Sequence, residues 1–405
     1  MDERDGKRET WQIPQEMAEC CRDAHKGAFR SAALMDLGKG TVSLAVGWPP
    51  VSEQAYGSTC IAHAVAMLVA YAEKPEDPPR LSAQFLFDMV KRNEDEWIGR
   101  NLESVRNGLE PDEEFRLAYK GPYERLQTTI RANGGPTSAV SVRMIGQFEA
   151  QLRGVTGVSA GSMLHRCFEV VREQGICGED LRPASSVQRV SAASRLGEAG
   201  MPQHILRDAL RHRVTNGLTL LEHPNNVNEI RKALAGAEGM RPMPVCAAVD
   251  IFEGCVGGTF AFPEITEEGT SANRPLGLHE VLVVGYEDDE TEPGGGRFTV
   301  RNSWGAKWGE DGYGKMPYAY LETFCHEAGT IRVRATAGRL PAAAGRAPGT
   351  GGGVCSVCGK TYFGESALKY RCEEPGCEER ICFDCRARKN ARRCQKHASP
   401  LPKTT

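Results

Sequence analysis

Behind Cys60 runs Ile61 to Ala72, Ile-Ala-His-Ala-Val-Ala-Met-Leu-Val-Ala-Tyr-Ala, a segment with no charged residue. An apolar helix of this kind has no face to offer water, so the rest of the fold must cover it on every side. At about a dozen residues it is too short to span a bilayer, which leaves a buried central helix as its reading. The segment Gly57-Ser58-Thr59-Cys60 reads as a turn opening into that helix. A cysteine at a helix start meets the positive end of the helix dipole and unpaired backbone N–H groups. Both favour the nucleophilic thiolate over the thiol.

Leu81-Ser82-Ala83-Gln84-Phe85-Leu86-Phe87 predicts a second helix with Ser82 as its N-cap. The later half changes character. Val245 to Ile251, Val281 to Tyr286 and Phe298 to Asn302 are short apolar runs bounded by glycine or charge, and they read as strands. A helical lobe followed by a β-rich lobe gives an α+β class, with a cleft between the lobes. His279 stands at the mouth of the Val281 strand, and Asn302 ends the Phe298 strand. A cysteine, a histidine and an asparagine in this order suggest covalent acyl transfer.

These pieces resemble the papain family of cysteine peptidases. The matching residues are Gln54 ahead of Cys60, His279 at its strand, Asn302-Ser303-Trp304-Gly305, and Trp308-Gly309-Glu310-Asp311-Gly312-Tyr313-Gly314. A further match is Ala160-Gly161, followed by a helix-like stretch and Gly175-Ile176-Cys177-Gly178-Glu179-Asp180. The resemblance runs from about residue 46 to 335, with gaps. It implies a papain-like two-lobe fold, a helical lobe plus a β-barrel-like lobe, of the type bacteria keep without elaborate pro-regions. By that resemblance Cys60 attacks a peptide carbonyl as thiolate. His279 as imidazolium stabilises the thiolate and then protonates the leaving amine. Asn302 orients the imidazole. The Gln54 amide and the Cys60 N–H form the oxyanion hole, where one donor is worth about 10²–10³ in rate. Trp304 shields the His279–Asn302 bond from water, and Ala160 and Gly161 bind the substrate backbone.

Several positions depart from the family pattern. Ile61 stands where a tryptophan commonly follows the nucleophile, which removes a ring beside the cleft. Gly57 stands where a disulfide cysteine is usual, pointing away from an oxidising compartment. Glu280 replaces a small residue: either its carboxylate lies near the S2 pocket and favours a basic P2 side chain, or it turns to solvent. His63 falls on the same helical face as Cys60 but at a place the family gives to a packing aromatic, so it is not read as the base. The chain is also longer between Cys60 and His279 than the family needs. Insertions are expected at about 94–158 and 183–227, either overhanging the cleft or decorating the surface.

The cysteines divide into two populations. Eight are scattered up to Cys325, while seven crowd together as Cys355-x2-Cys358, Cys372-x4-Cys377, Cys382-x2-Cys385 and Cys394, with His397 completing the last pair. Four ligand pairs fit two structural zinc ions. A module under about fifty residues cannot bury enough apolar surface alone, so metal supplies its folding energy. The pair order resembles the ZZ and RING cross-brace fingers, with Cys355, Cys358, Cys382 and Cys385 on one ion and Cys372, Cys377, Cys394 and His397 on the other. Sequential pairing stays open. Arg386, Arg388, Lys389, Arg392, Arg393 and Lys396 give the module a basic edge. The Gly-, Ala- and Pro-rich stretch before it reads as a tether. The expected organisation is therefore 1–45 as an N-terminal extension, 46–336 as the peptidase, 337–353 as linker and 354–399 as the zinc-binding domain.

A formal net charge of −3 and a pI near 6.4 argue against a dominant nucleic-acid role. The charged opening Met1-Asp2-Glu3-Arg4-Asp5 has no apolar stretch behind it, so the expected address is cytoplasmic, without membrane attachment. The leading function is a cytosolic cysteine endopeptidase acting on protein or peptide, with no catalytic cofactor. The finger would recruit a protein partner or substrate, or regulate the enzyme. Two other classes remain: a thiol acyltransferase or isopeptidase acting on a protein modifier, and a non-catalytic binding protein.

Overall fold

The computed structural model describes Trp11–Gln12, residues 34–54 apart from 39 and 46, 59–156, 161–182, 201–252, 255, 257–262, 270–271 and 275–335, and four short strands between 352 and 381. The chain divides into two compact units, Met1–Pro341 and Ala342–Thr405. In the second unit the described residues are two antiparallel strand pairs, Gly352–Val354 with Thr361–Phe363 and Tyr370–Arg371 with Arg380–Ile381. The eight expected zinc ligands lie outside the described residues.

In the first unit, helix α1 spans Cys60–Glu73 and is buried along almost its whole length. Leu68, Val69 and Ala70 are fully covered, and each large side chain so buried contributes about 1.5–3 kcal/mol. Helix α2, Ala83–Arg106, starts at Ser82, whose hydroxyl accepts from the Phe85 N–H. Three further helices follow, α3 at Glu113–Ala118, α4 at Lys120–Ala132 and α5 at Ala139–Thr156. With the far end of α2 they enclose a separate apolar cluster built on Ile98, Leu102, Phe115, Leu126 and Phe148. The stretch read as a first insertion is thus a helical body with its own core. Helix α6, Leu164–Glu173, returns the chain to α1.

Seven strands of the first unit form one antiparallel sheet: β1 Thr41–Ser43, β2 Leu218–Leu220, β3 Val245–Phe252, β4 Pro275–Asp288, β5 Gly296–Arg301, β6 Tyr313–Pro317 and β7 Cys325–Ile331. Its order is β2-β7-β3-β4-β5-β6, with β1 also on β4. Among the described residues the sheet stays open rather than closing as the expected barrel. The stretch read as a second insertion contributes β2, which pairs with β7 through Thr219 and Thr330, so part of it belongs to the main sheet.

Strand β4 shows why the two lobes meet as they do. Side chains alternate across a strand with period two. Leu282 and Val284 pack into the cluster around α1, whereas Val281 and Val283 join the cluster formed with helices α7, Val227–Ala235, and α8, Tyr318–Phe324. That alternation puts Glu280 on the α1 side and His279 on the other.

Candidate active site

Cys60 is the first residue of α1. Thr59 makes no side-chain capping bond there, which leaves the helix start to other partners. Among the six described cysteines, none in a disulfide, Cys60 and Cys325 are part-exposed, and Cys167, Cys177, Cys246 and Cys255 are buried. Burial pushes the Cys60 thiol up from its ordinary value of 9.0, and the Glu280 carboxylate works the same way. The backbone N–H groups of Glu280, Ile61 and Cys60 itself pull in the opposite direction.

His279 is buried, and its Nε2 lies 2.7 Å from Asn302 Oδ1. The same Oδ1 accepts from the Ser303 backbone N–H at 2.7 Å. A backbone N–H can only donate, so the atom facing it must be oxygen. His279 therefore carries its hydrogen on Nε2, and Nδ1 remains as the basic nitrogen. The Trp304 ring lies 4.6 Å from the imidazole, centroid to centroid, at 36°, and Trp308 stands edge-on to Trp304. Burial lowers His279 to about 4, with the Asn302 bond acting weakly the other way.

Burial of both groups disfavours either charge alone, so a thiolate and an imidazolium here would stabilise each other only as a pair.

The segment ahead of Cys60 is tied to the segment after Asn302. The Gln54 N–H donates to Ser303 O at 2.7 Å, and the Ser303 hydroxyl donates to Gln54 Oε1. This bond fixes the carbonyl end of the Gln54 amide on Ser303 and turns its nitrogen end away. Gly305 has φ +76 and gives its N–H to Ser52 O, a left-handed turn that suits glycine. Sequence reasoning takes Ser303 only as part of a motif, and its contact with Gln54 joins residues far apart along the chain.

A small cavity of about 10 Å³ lies beneath the nucleophile, lined by Cys60, His63, Glu280, Asn302 and Ser303 among others. Glu280 is buried, so the solvent-facing alternative is excluded. Burial and the nearby Glu327 push its carboxyl well above the ordinary carboxylate range, and its Oε1 has no hydrogen-bond partner. Ile61 is also buried, in the core around α1, rather than standing at the cleft. His63 is buried with Nδ1 2.8 Å from Ser52 Oγ. Burial, with His279 adding to it, lowers His63 to about 4. Gly161 is exposed ahead of α6. Ala160, read with it as backbone-binding, lies outside the described residues. Among those described, no group of three or more His, Cys, Asp or Glu is arranged to hold a metal ion.

Comparison with known proteins adds a family. Residues 153–328 match the model of the papain family cysteine proteases, a stretch that holds His279, Asn302 and Trp304 but begins after Gln54 and Cys60. The chain is 29% identical to procathepsin L of Felis catus over 172 residues, covering 41% of this chain and 44% of that one. An uncharacterized peptidase C1-like protein of Acanthamoeba polyphaga mimivirus is 32% identical over 103 residues, covering 24% and 28%. The chain thus spans less than half the length of these curated relatives. Among solved structures, xylellain, a cysteine protease from Xylella fastidiosa, aligns over 76% of this chain and 92% of its own, at 17% identity and a TM-score of 0.45.

Proposed function

Because the chain carries a papain-family cysteine protease domain, we propose that it hydrolyses peptide bonds through a thioester on Cys60. The observation that carries this reading is the His279–Asn302 bond under Trp304, which leaves His279 Nδ1 as a base of fixed tautomer. Cys60 Sγ forms a bond to the substrate carbonyl carbon as its proton passes to His279. The carbonyl electron pair moves onto oxygen, toward the Cys60 N–H and the Gln54 amide. The pair returns, the C–N bond breaks, and His279 delivers the proton to the leaving nitrogen. Water then attacks the thioester, giving its proton to His279, and the acid leaves as the thiol is restored. Gly161 pairs with the substrate backbone on the acyl side.

Glu280 supports a finer reading, a preference for a basic side chain at P2. A buried carboxyl with one oxygen lacking a partner is stabilised by an incoming cation that ionises it and takes up that oxygen. For the second unit we propose a structural zinc-binding role. Seven cysteines and His397 suit two tetrahedral zinc ions chemically, and the ions would supply folding energy. The unit would recruit substrate or a protein partner, or regulate the enzyme. The unpaired thiols among the described residues support a reducing, cytosolic address.

The test is labelling with an epoxide warhead, followed by peptide mapping and a peptide-hydrolysis assay. The expected result is one label on Cys60, with label and hydrolysis both lost in Cys60→Ala. Hydrolysis that survives in Cys60→Ala overturns the reading.

A further inference from the structure

On helix α2, Lys91 is an ammonium in the wrong place for a solvated side chain. Only 3% of the side chain is exposed, and its Nζ lies 5.5 Å from the centre of the Phe87 ring. Nζ donates to Glu94 Oε2 at 2.9 Å and to the backbone carbonyl of Gly161 at 2.5 Å. The other oxygen of Glu94 accepts from the Ser162 hydroxyl. Lys91 and Glu94 sit three residues apart on one helix face, so the pair forms locally and cancels most of its own charge. Both members then reach across to the same two residues, Gly161 and Ser162. A few residues on, the Leu164 N–H donates to Glu327 Oε2 at 2.9 Å, fixing the start of α6 to β7.

Burying an ammonium costs several kcal/mol unless its partners are well placed. A hydrophobic residue would fill this site at lower cost, so the carbonyl bond calls for a reason beyond stability. Gly161 is exposed, whereas Lys91 is not. The bond therefore runs from the interior to an exposed glycine that has no side chain of its own to hold it. A carbonyl oxygen has two lone pairs, so the ammonium takes one and leaves the other for a second donor.

We propose that Lys91 is a positioning residue for substrate: with Glu94 it fixes the Gly161–Ser162 turn so that the Gly161 backbone meets the acyl side of the peptide. The inference rests on the reading of this site as a peptidase. It assigns the helical body around α2 a part in substrate binding. Holding the turn improves binding of substrate and transition state alike, so its loss raises KM and spares kcat.

The experiment uses the full chain and two fluorogenic substrates, one with a single residue on the acyl side and one with three. Lys91→Met is expected to raise KM for the longer substrate about tenfold, with kcat within about twofold and the short substrate unaffected. Alkylation of Cys60 by iodoacetamide, which has no acyl-side peptide to bind, keeps its rate. Ser162→Ala loosens the turn while leaving Lys91 covered, and raises KM for the longer substrate about threefold. It decides the matter if Lys91→Met does not fold. An unchanged KM for the longer substrate in either folded variant overturns the proposal, as does a parallel loss for both substrates. Activity surviving in Cys60→Ala overturns the peptidase reading instead, independently of Lys91.

Discussion

Acid should destabilise the first unit through two histidines buried without charge, and His63→Gln isolates one of them. His63 has an ordinary value of 6.5 and a folded value of about 4. Between those values the unfolded chain binds a proton that the folded chain excludes, so stability falls as pH drops through the window and is regained as pH rises. Going from about pH 7 to about pH 5, one such histidine costs roughly 2 kcal/mol, and His279 adds a similar amount. Glutamine does not titrate, and its amide can keep the bond to Ser52. The assay is urea unfolding followed by tryptophan fluorescence at the two pH values. All five tryptophans lie at or before Trp308, so the signal reports the first unit alone. The acid-induced loss should be smaller in His63→Gln by about 2 kcal/mol. An equal loss in variant and wild type would refute the claim that His63 is held neutral by burial.

Four further outcomes follow from the site. The pH profile of kcat/KM should rise through an acid limb near 4, where His279 loses its proton. It should stay level past 9, since burial pushes the Cys60 thiol up; a limb near the ordinary histidine value would contradict the lowering of His279 by burial. Asn302→Ala should lower kcat about tenfold to a hundredfold by freeing the imidazole, measured on a short fluorogenic substrate. Glu280→Gln should keep the fold and lower the preference for Arg over Leu at P2 by about tenfold, read from a P2-varied peptide library. Zinc chelation should alter the second unit, followed by hydrogen exchange over residues 354–399, while hydrolysis of a short peptide by the first unit persists.

Some of this is legible in the amino-acid order alone. An uncharged run behind Cys60 can only be a covered helix, and Ser82 marks the start of the next. The strand beside His279 follows from the apolar run Val281 to Tyr286. Local chemistry of this kind needs no knowledge of distant residues. What it cannot supply is the state of the site. The same helix start that favours a thiolate in water lies where burial pushes the Cys60 thiol up, and burial is a sum over many neighbours. Glu280 illustrates this most clearly. As one letter beside His279 it allows a cleft wall or a solvent face, and the pairing of β4 with β3 turns it inward beneath Cys60.

The amino-acid order points to Cys60 at a helix start and to His279 and Asn302 at strands as the candidate chemistry, because propensity, periodicity and capping act over a few neighbours. Folding sets how Ser303 orients Gln54, how Lys91 reaches Gly161, and which way burial shifts Cys60 and His279. Those depend on contacts between segments far apart in the chain, and on the low polarity that their packing creates.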